Sequence, residues 1–200
     1  HPTFGISALG RWFEKLGLRV GIVPQPRLDV LDDILEMGRP RLFVGVSAGT
    51  VDSMINNYTA NKKPRRDCMY SEGGVAFRKD KFGREVRIRP DYATVAYSKL
   101  AREAFPHTPI IVGGVEVSLR RLAHYDYWQG KVRPSMLVES PADLTVFGMG
   151  ERQAIRIAED FKHAETEIGE ALDLRNSATQ TAIKKLRGER GIAFVASKEE

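Results

Sequence analysis

Cysteine is nearly missing from this chain: Cys68 stands alone among 200 residues. A single thiol excludes a disulfide framework and any site built from several cysteines of this chain, and it suits a reducing compartment. No apolar run is long enough to cross a bilayer, and no signal-peptide pattern opens the chain. A cytoplasmic location is therefore expected for a sequence that begins at His1 without a Met and reads as cut from something longer. Histidine is scarce as well, and His107 and His163 lie in contexts unrelated to His124, so no metal site is expected. Also missing are a phosphate-binding loop ending in Gly-Lys-Ser or Gly-Lys-Thr, a Gly-x-Ser-x-Gly elbow and a strand-borne Gly-x-Gly-x-x-Gly. The usual nucleotide and hydrolase readings lose support with them. There is no internal repeat and no low-complexity tract.

What remains is an ordinary globular composition, 42% hydrophobic and 28% charged, enough for one domain with an appendage. The net charge of +5 is local, coming partly from Lys62-Lys63-Pro64-Arg65-Arg66 and the 78–89 region, so nucleic-acid binding is allowed but not demanded. Helical and strand-like periods alternate. An amphipathic stretch around 6–16 stops at Gly17 and leads to a strand over 18–23. Asp29 opens a short helix through Met37, closed by Gly38, and 41–46 is the next strand. Asp91 starts a helix through Phe105 that Pro106 ends before a strand at Ile110. Residues 143–147 make a further strand, followed by a helix over 151–164 with Ala154, Ile155, Ile157, Ala158 and Phe161 inward. Strands separated by helix-length segments lie parallel and are covered on both faces, which predicts an α/β, three-layer, doubly wound, mostly parallel sheet of Rossmann-like or flavodoxin-like type. Two parts fall outside the rhythm. Residues 73–89 flank Lys81-Phe82-Gly83 as an inserted β-hairpin, and residues 165–200 form a helix-prone tail whose 192–196 segment adds an edge strand or leads to another domain. The domain proper is expected over 1–164.

The segment Pro109-Ile110-Ile111-Val112-Gly113-Gly114 breaks from an apolar run directly into polar and aromatic groups, the pattern of a buried strand ending at a crevice. Glu116, Ser118, Arg120 and Arg121 crowd the start of the next segment, where exposed amides favour an anionic or polar ligand. Ser47 and Thr50 follow a second strand, and Gly148-Met149-Gly150 a third, so three glycine-marked crossings should face one crevice. Each also has a plain structural reading: paired glycines as a tight turn, Ser47 or Thr50 as a helix cap. His124, Tyr125, Asp126, Tyr127 and Trp128 offer an acid or base, a hydrogen-bonding pair or a stacking surface, or else pack a loop with Asp126 orienting His124. The basic loop at 62–66, with Tyr58, Asn61 and Tyr70 beside it, is either a solvated surface or a seat for a polyanion or a partner domain.

Four blocks carry a family resemblance: Asp52-Ser53-Met54-Ile55-Asn56-Asn57-Tyr58-Thr59-Ala60, Arg89-Pro90-Asp91-Tyr92-Ala93, the run from Gly113 through Arg121, and His124-Tyr125-Asp126-Tyr127-Trp128. Together they resemble the amino-terminal domain of the YgiQ family of radical SAM proteins, from His1 through Glu151. The resemblance implies a large iron-sulfur protein whose later domain is a radical SAM barrel, with a 4Fe-4S cluster on three cysteines and S-adenosylmethionine as cofactors. Cys68 alone cannot supply that motif, so this chain is expected to lack catalysis of its own. Some radical SAM proteins carry a cobalamin-binding domain of the same doubly wound class before the barrel, and His1, Ser47, Thr50, Gly113 and Gly114 invite comparison with its motif. Here Gly5 lies four positions after His1 where that pattern places Gly three after its His, which counts against an axial His1. A first strand is expected upstream of His1, leaving the sheet short of one central strand or rebuilt from the tail.

Two functions follow as expectations. In the first, the chain is the accessory amino-terminal domain of a radical SAM enzyme, shaping a substrate or cofactor crevice against the barrel through Ser47, Thr50, Gly113, Gly114, Glu116, Arg120 and Arg121. In the second, it is an interaction domain that docks a partner domain or a nucleic acid through its basic loop. No catalytic and no metal-ligating residue is assigned, and no membrane partner is expected.

Overall fold

A computed structural model describes residues 4–196, so His1, the expected axial position of the cobalamin comparison, lies outside the described residues. The chain opens with the amphipathic α1 (Phe4–Lys15), a single turn α2 (Asp32–Leu35) and the strand β1 (Val44–Ser47). A short α3 (Ser53–Asn57) follows, started by Asp52, whose carboxylate accepts from the amides of Met54 at 2.9 Å and Ile55 at 3.2 Å. The insertion is an antiparallel hairpin of β2 (Phe77–Lys79) and β3 (Glu85–Arg87), its turn held by Asp80 Oδ1, which accepts from Phe82 N at 2.9 Å and Arg84 N at 2.8 Å. Then come α4 (Ala93–Ala104), β4 (Ile110–Gly113) and α5 (Val115–Leu119). A second antiparallel hairpin pairs β5 (His124–Asp126) with β6 (Lys131–Arg133), and α6 (Met136–Glu139) and β7 (Leu144–Val146) complete the unit. The long α7 (Glu151–Ile168), α8 (Ser177–Lys185) and the two-residue β8 (Ile192–Ala193) form the tail.

The central sheet runs in the order β1-β4-β7-β8; its first three strands are parallel, and β8 closes the β7 edge antiparallel. Alternation along β4 shows why both faces must be covered. Ile110 and Val112, both 0% exposed, point into a core shared with Val46, Ala93, Tyr97, Ala101 and Met136. Ile111 points the other way, into a core of Leu144, Ile157, Phe161, Leu172 and Leu186. Hence α4, α5 and α6 lie on one face and α7 and α8 on the other, giving the expected three-layer α/β architecture with its inserted hairpin. Phe43 ties α1 to this second core, its ring 5.9 Å from Phe13 and 5.9 Å from Phe161. Burial of a side chain such as Phe161 or Ile110 contributes about 1.5–3 kcal/mol each. No helix among the described residues is long and apolar enough to cross a membrane.

Several local expectations give way to packing. The predicted strand over 18–23 pairs with no strand; Val20 and Ile22 lie instead over Gly10 of α1, and Pro24 and Pro26 remove backbone donors just beyond. Asp29 does not cap α2, because its carboxylate is taken by Arg27 at 2.7 Å and by Lys81 N at 2.8 Å, which tethers the β2–β3 turn to the main body. Asp91 does not begin α4, being held by Tyr58 and Asn57, so the helix starts after Tyr92. The tail helix breaks at Gly169, where φ of 76° ends α7, and restarts under Asn176. The 124–128 segment opens a hairpin rather than a loop.

Candidate functional site

The carboxyl edge of the sheet is where the three glycine-marked crossings meet. Ser47 of β1 stands in register with Gly113 of β4, and the chain then turns at Gly114 with φ of 94°. A Cβ at Gly114 would fall 2.6 Å from Ser47 Oγ, so the close backbone approach this glycine permits is to the protein's own serine. Ser47 Oγ in turn accepts from Gly49 N at 3.1 Å and shapes the β1–α3 loop, in which Thr50 is exposed.

Glu116 is 1% exposed, and its carboxylate joins two elements: Oε2 accepts from Ser53 N at 2.8 Å and Oε1 from Thr94 N at 3.0 Å. Those amides open α3 and α4, so the anion that two helix N-termini favour is supplied from inside the fold. Arg120, at the end of α5, pairs with the buried Oδ2 of Asp52, the residue that caps α3. Burial holds the Arg120 guanidinium below its ordinary value, as expected for a cation with 11% of its side chain exposed. Arg121, by contrast, is exposed; it donates to Ser118 O at 2.7 Å and lies 5.6 Å from the Phe147 ring centre. Of the seven predicted residues, Ser47, Gly113, Glu116 and Arg120 thus face inward contacts, and Thr50, Gly114 and Arg121 are open to solvent or sit at the surface turn.

Beside this edge the β5–β6 hairpin builds a polar cluster. Asp126 is 2% exposed and accepts from Gln129 N at 2.8 Å, with Arg133 Nη1 at 3.6 Å. Arg133 pairs with Glu139 at 2.7 Å and stacks 4.0 Å from the Tyr92 ring centre. Burial pushes the Asp126 carboxyl up, but the Gln129 amide, the Tyr92 hydroxyl and Arg133 bring it below its ordinary value; burial and Asp126 push the Tyr92 hydroxyl up to about 12. His124 is not oriented by Asp126: its Nδ1 contacts Leu122 O at 3.1 Å. A cleft of about 370 Å³ lies between α3, α5 and this hairpin, walled by Ile55, Leu119, Tyr125, Tyr127 and Trp128 over the Asp52–Arg120 pair. Arg133 was not singled out from the sequence, because its pairing depends on a hairpin that alternation alone did not reveal, and the helix cap read there as Ser47 or Thr50 is instead Asp52, whose carboxylate accepts from the first amides of α3.

The basic loop and the aromatic segment, distant in sequence, pack on each other. Lys62 Nζ sits 4.6 Å from the Tyr127 ring centre, and Tyr127 donates to Ala60 O at 2.7 Å. Tyr127 meets Trp128 at 5.2 Å, Trp128 meets Tyr58 at 5.4 Å, and Arg87 lies over both Tyr58 and Phe77, at 5.4 Å and 4.5 Å. Among the described residues no group of three His, Cys, Asp or Glu side chains could hold a metal ion.

Comparison with known proteins gives a consistent picture. The family model for the radical SAM N-terminal domain matches residues 1–199. A UPF0313 protein of Pseudomonas putida is 46% identical over 178 residues, which is 89% of this chain and 22% of the relative. The UPF0313 protein YgiQ of Escherichia coli is 46% identical over 178 residues, covering 89% of this chain and 23% of the relative. A UPF0313 protein of Thermotoga neapolitana is 48% identical over 159 residues, covering 80% of this chain and 26% of the relative. The chain thus spans about a quarter of the length of the curated relatives it matches. No solved structure matches it.

Proposed function

The chain belongs to the radical SAM N-terminal family, and from that premise we propose that it is the accessory domain of a longer radical SAM protein, taking no catalytic step itself and forming one wall of a crevice that a following barrel closes. The observation that carries this reading is a run of exposed apolar side chains along the carboxyl edge: Ile55 at 56%, Val115 at 45%, Leu119 at 61%, Leu122 at 68% and Met149 at 89%. The Met149 loop is fastened to α5 by Gly148 N donating to Ser118 Oγ at 2.9 Å, so these residues share one edge. An apolar band beside charged residues is the composition of a surface that another body covers.

In this reading Thr50, Gly114 and Arg121 present the wall to a substrate or cofactor, and Ser47, Gly113, Glu116 and Arg120 hold it rigid behind. A 4Fe-4S cluster on three cysteines does not fit this chain, whose one cysteine, Cys68, is 4% exposed and engaged by Asn56 at 3.4 Å. The cluster and S-adenosylmethionine are therefore assigned to the remaining length of the protein, in a reducing compartment. The test is to introduce Leu119→Asp and Met149→Asp together in the full-length protein and follow thermal unfolding by calorimetry. The reading expects the domain's transition to separate from that of the remainder; a single unchanged transition refutes it.

A further inference from the structure

We infer that the face built by the basic loop and the two hairpins binds single-stranded nucleic acid, which names the class of substrate the accessory-domain reading leaves open. The inference rests on that reading only in calling the ligand a substrate. Binding itself is argued from the surface.

Lys62, Lys63, Arg65 and Arg66 are all exposed, and among the described residues only Arg66 of these forms an ion pair, a loose one to Glu85 at 3.5 Å with both side chains mostly in solvent. Such a pair contributes little, so these four cations face water essentially uncompensated; Asp67 and Glu85 are the acids beside them, and Asp91 lies further along the face, accepting from Tyr58 at 2.6 Å with Arg87 at 3.9 Å. The loop is also fixed rather than loose. Thr59 N donates to Lys63 O at 2.9 Å, Lys62 N to Thr59 O at 2.9 Å, and Arg65 Nε to Tyr58 O at 3.3 Å.

Rings stand between these cations. Lys62, Tyr127, Trp128, Tyr58, Arg87 and Phe77 form one continuous series of stacked or edge contacts, and Arg66 lies 5.6 Å from the Phe77 ring centre at its far end. Next to it, Tyr125 is 66% exposed and points away from His124 and Asp126 on β5, paired across the hairpin with Val132 at 71%. Tyr127 keeps 51% exposure beside it, so two tyrosine rings of the hairpin stand open to solvent. Cations that track a backbone beside open aromatic faces are what a single strand uses, because its bases are free to stack on rings; a duplex hides those faces, and an acidic peptide has no need of them.

The experiment uses the full-length protein and fluorescein-labelled twelve-residue oligouridylate and oligodeoxythymidylate, read by anisotropy between 50 and 200 mM KCl. Four phosphate contacts predict a slope of about −3 in log affinity against log salt, or roughly a 50-fold loss across that range. Lys62→Glu with Arg66→Glu should weaken binding at least tenfold and flatten the slope. Tyr125→Ala should weaken it about tenfold while Tyr125→Phe retains it, the signature of stacking. Lys184→Glu with Lys185→Glu, the same charge change on α8, should stay within twofold. The two oligonucleotides distinguish RNA from DNA as the source of the strand. No binding overturns the inference, as does equal loss for the two charge-reversal pairs. Polyglutamate competing as well as oligonucleotide, with Tyr125→Ala silent, overturns it in favour of an acidic protein partner. None of these outcomes bears on whether the carboxyl edge is covered by a barrel, which the calorimetric test reads separately.

Discussion

The carboxyl edge of the sheet and the hairpin face solve opposite problems with the same residue types. At the edge, charge is consumed by the fold: Glu116 serves the first amides of α3 and α4, and Arg120 neutralises the aspartate that caps α3. On the hairpin face, Lys62 and Arg65 keep their charge at the surface, supported by a ring and carbonyl oxygens rather than by carboxylates, and Lys63 is exposed beside them. The difference teaches that a crowd of polar residues after a glycine-marked strand end can be the scaffold of a site rather than its ligand-binding surface.

The comparison is broken most directly at Glu116. Glu116→Gln keeps the shape but offers one carbonyl oxygen to two buried amides and places an NH₂ against the other. It should cost about 3 kcal/mol in urea unfolding, the sum of a charge-assisted bond and an unsatisfied buried donor. Gly114→Ala should cost about 2 kcal/mol, since φ of 94° is unfavourable for any side chain and the new Cβ meets Ser47 Oγ. Part of that cost, about 1 kcal/mol, should vanish in a Ser47→Ala background, and a double-mutant cycle measures it.

Acid sharpens the contrast in the outer region. Asp29 is held well below the usual carboxylate range by Arg27 and the Lys81 amide, and Asp126 is lowered as described. A depressed folded value means that the stability each contributes is complete above the ordinary value of 3.8 and is lost as pH falls from there through the folded value. The two hairpins should therefore loosen as pH drops below about 3.8, and Asp29→Asn should make the β2–β3 amides exchange faster at neutral pH while flattening that acid dependence. Smallest of all is the expected effect of Lys62→Glu and Arg66→Glu on unfolding, within about 0.5 kcal/mol, because these exposed side chains take part in little that folding creates. A larger loss would place the basic loop in the scaffold and erase the distinction between the two regions.

Much of this was legible in the residues and some of it was not, for identifiable reasons. The apolar runs ending at Gly113 and near Val146 predicted parallel strands, because a strand buried on both faces has no polar alternative. The 18–23 run is also rich in apolar residues, yet it only touches α1, leaves Ile22 41% exposed and finds no strand to pair with; an apolar run reports neither burial on both faces nor a hydrogen-bonding neighbour. The family blocks contained Asp52, Glu116 and Arg120 without showing that Arg120 pairs with Asp52 or that Glu116 serves the amides of α3 and α4, since a carboxylate that binds a ligand and one that caps a helix look alike in a sequence. The stacking of Lys62 on Tyr127 spans 65 positions of chain, and only the fold brings the two together.

The five methionines supply the most direct test of the claim that the carboxyl edge is a covered wall while the hairpin side stays open. Met149 and Met69 are 89% and 79% exposed in this domain, and Met54 and Met136 are buried at 3% and 0%. Peroxide oxidation of the full-length protein, read by peptide mass spectrometry, should find Met69 oxidised fast and Met149 protected nearly as well as Met54 and Met136. Equal rates at Met149 and Met69 would show an open edge and contradict the account.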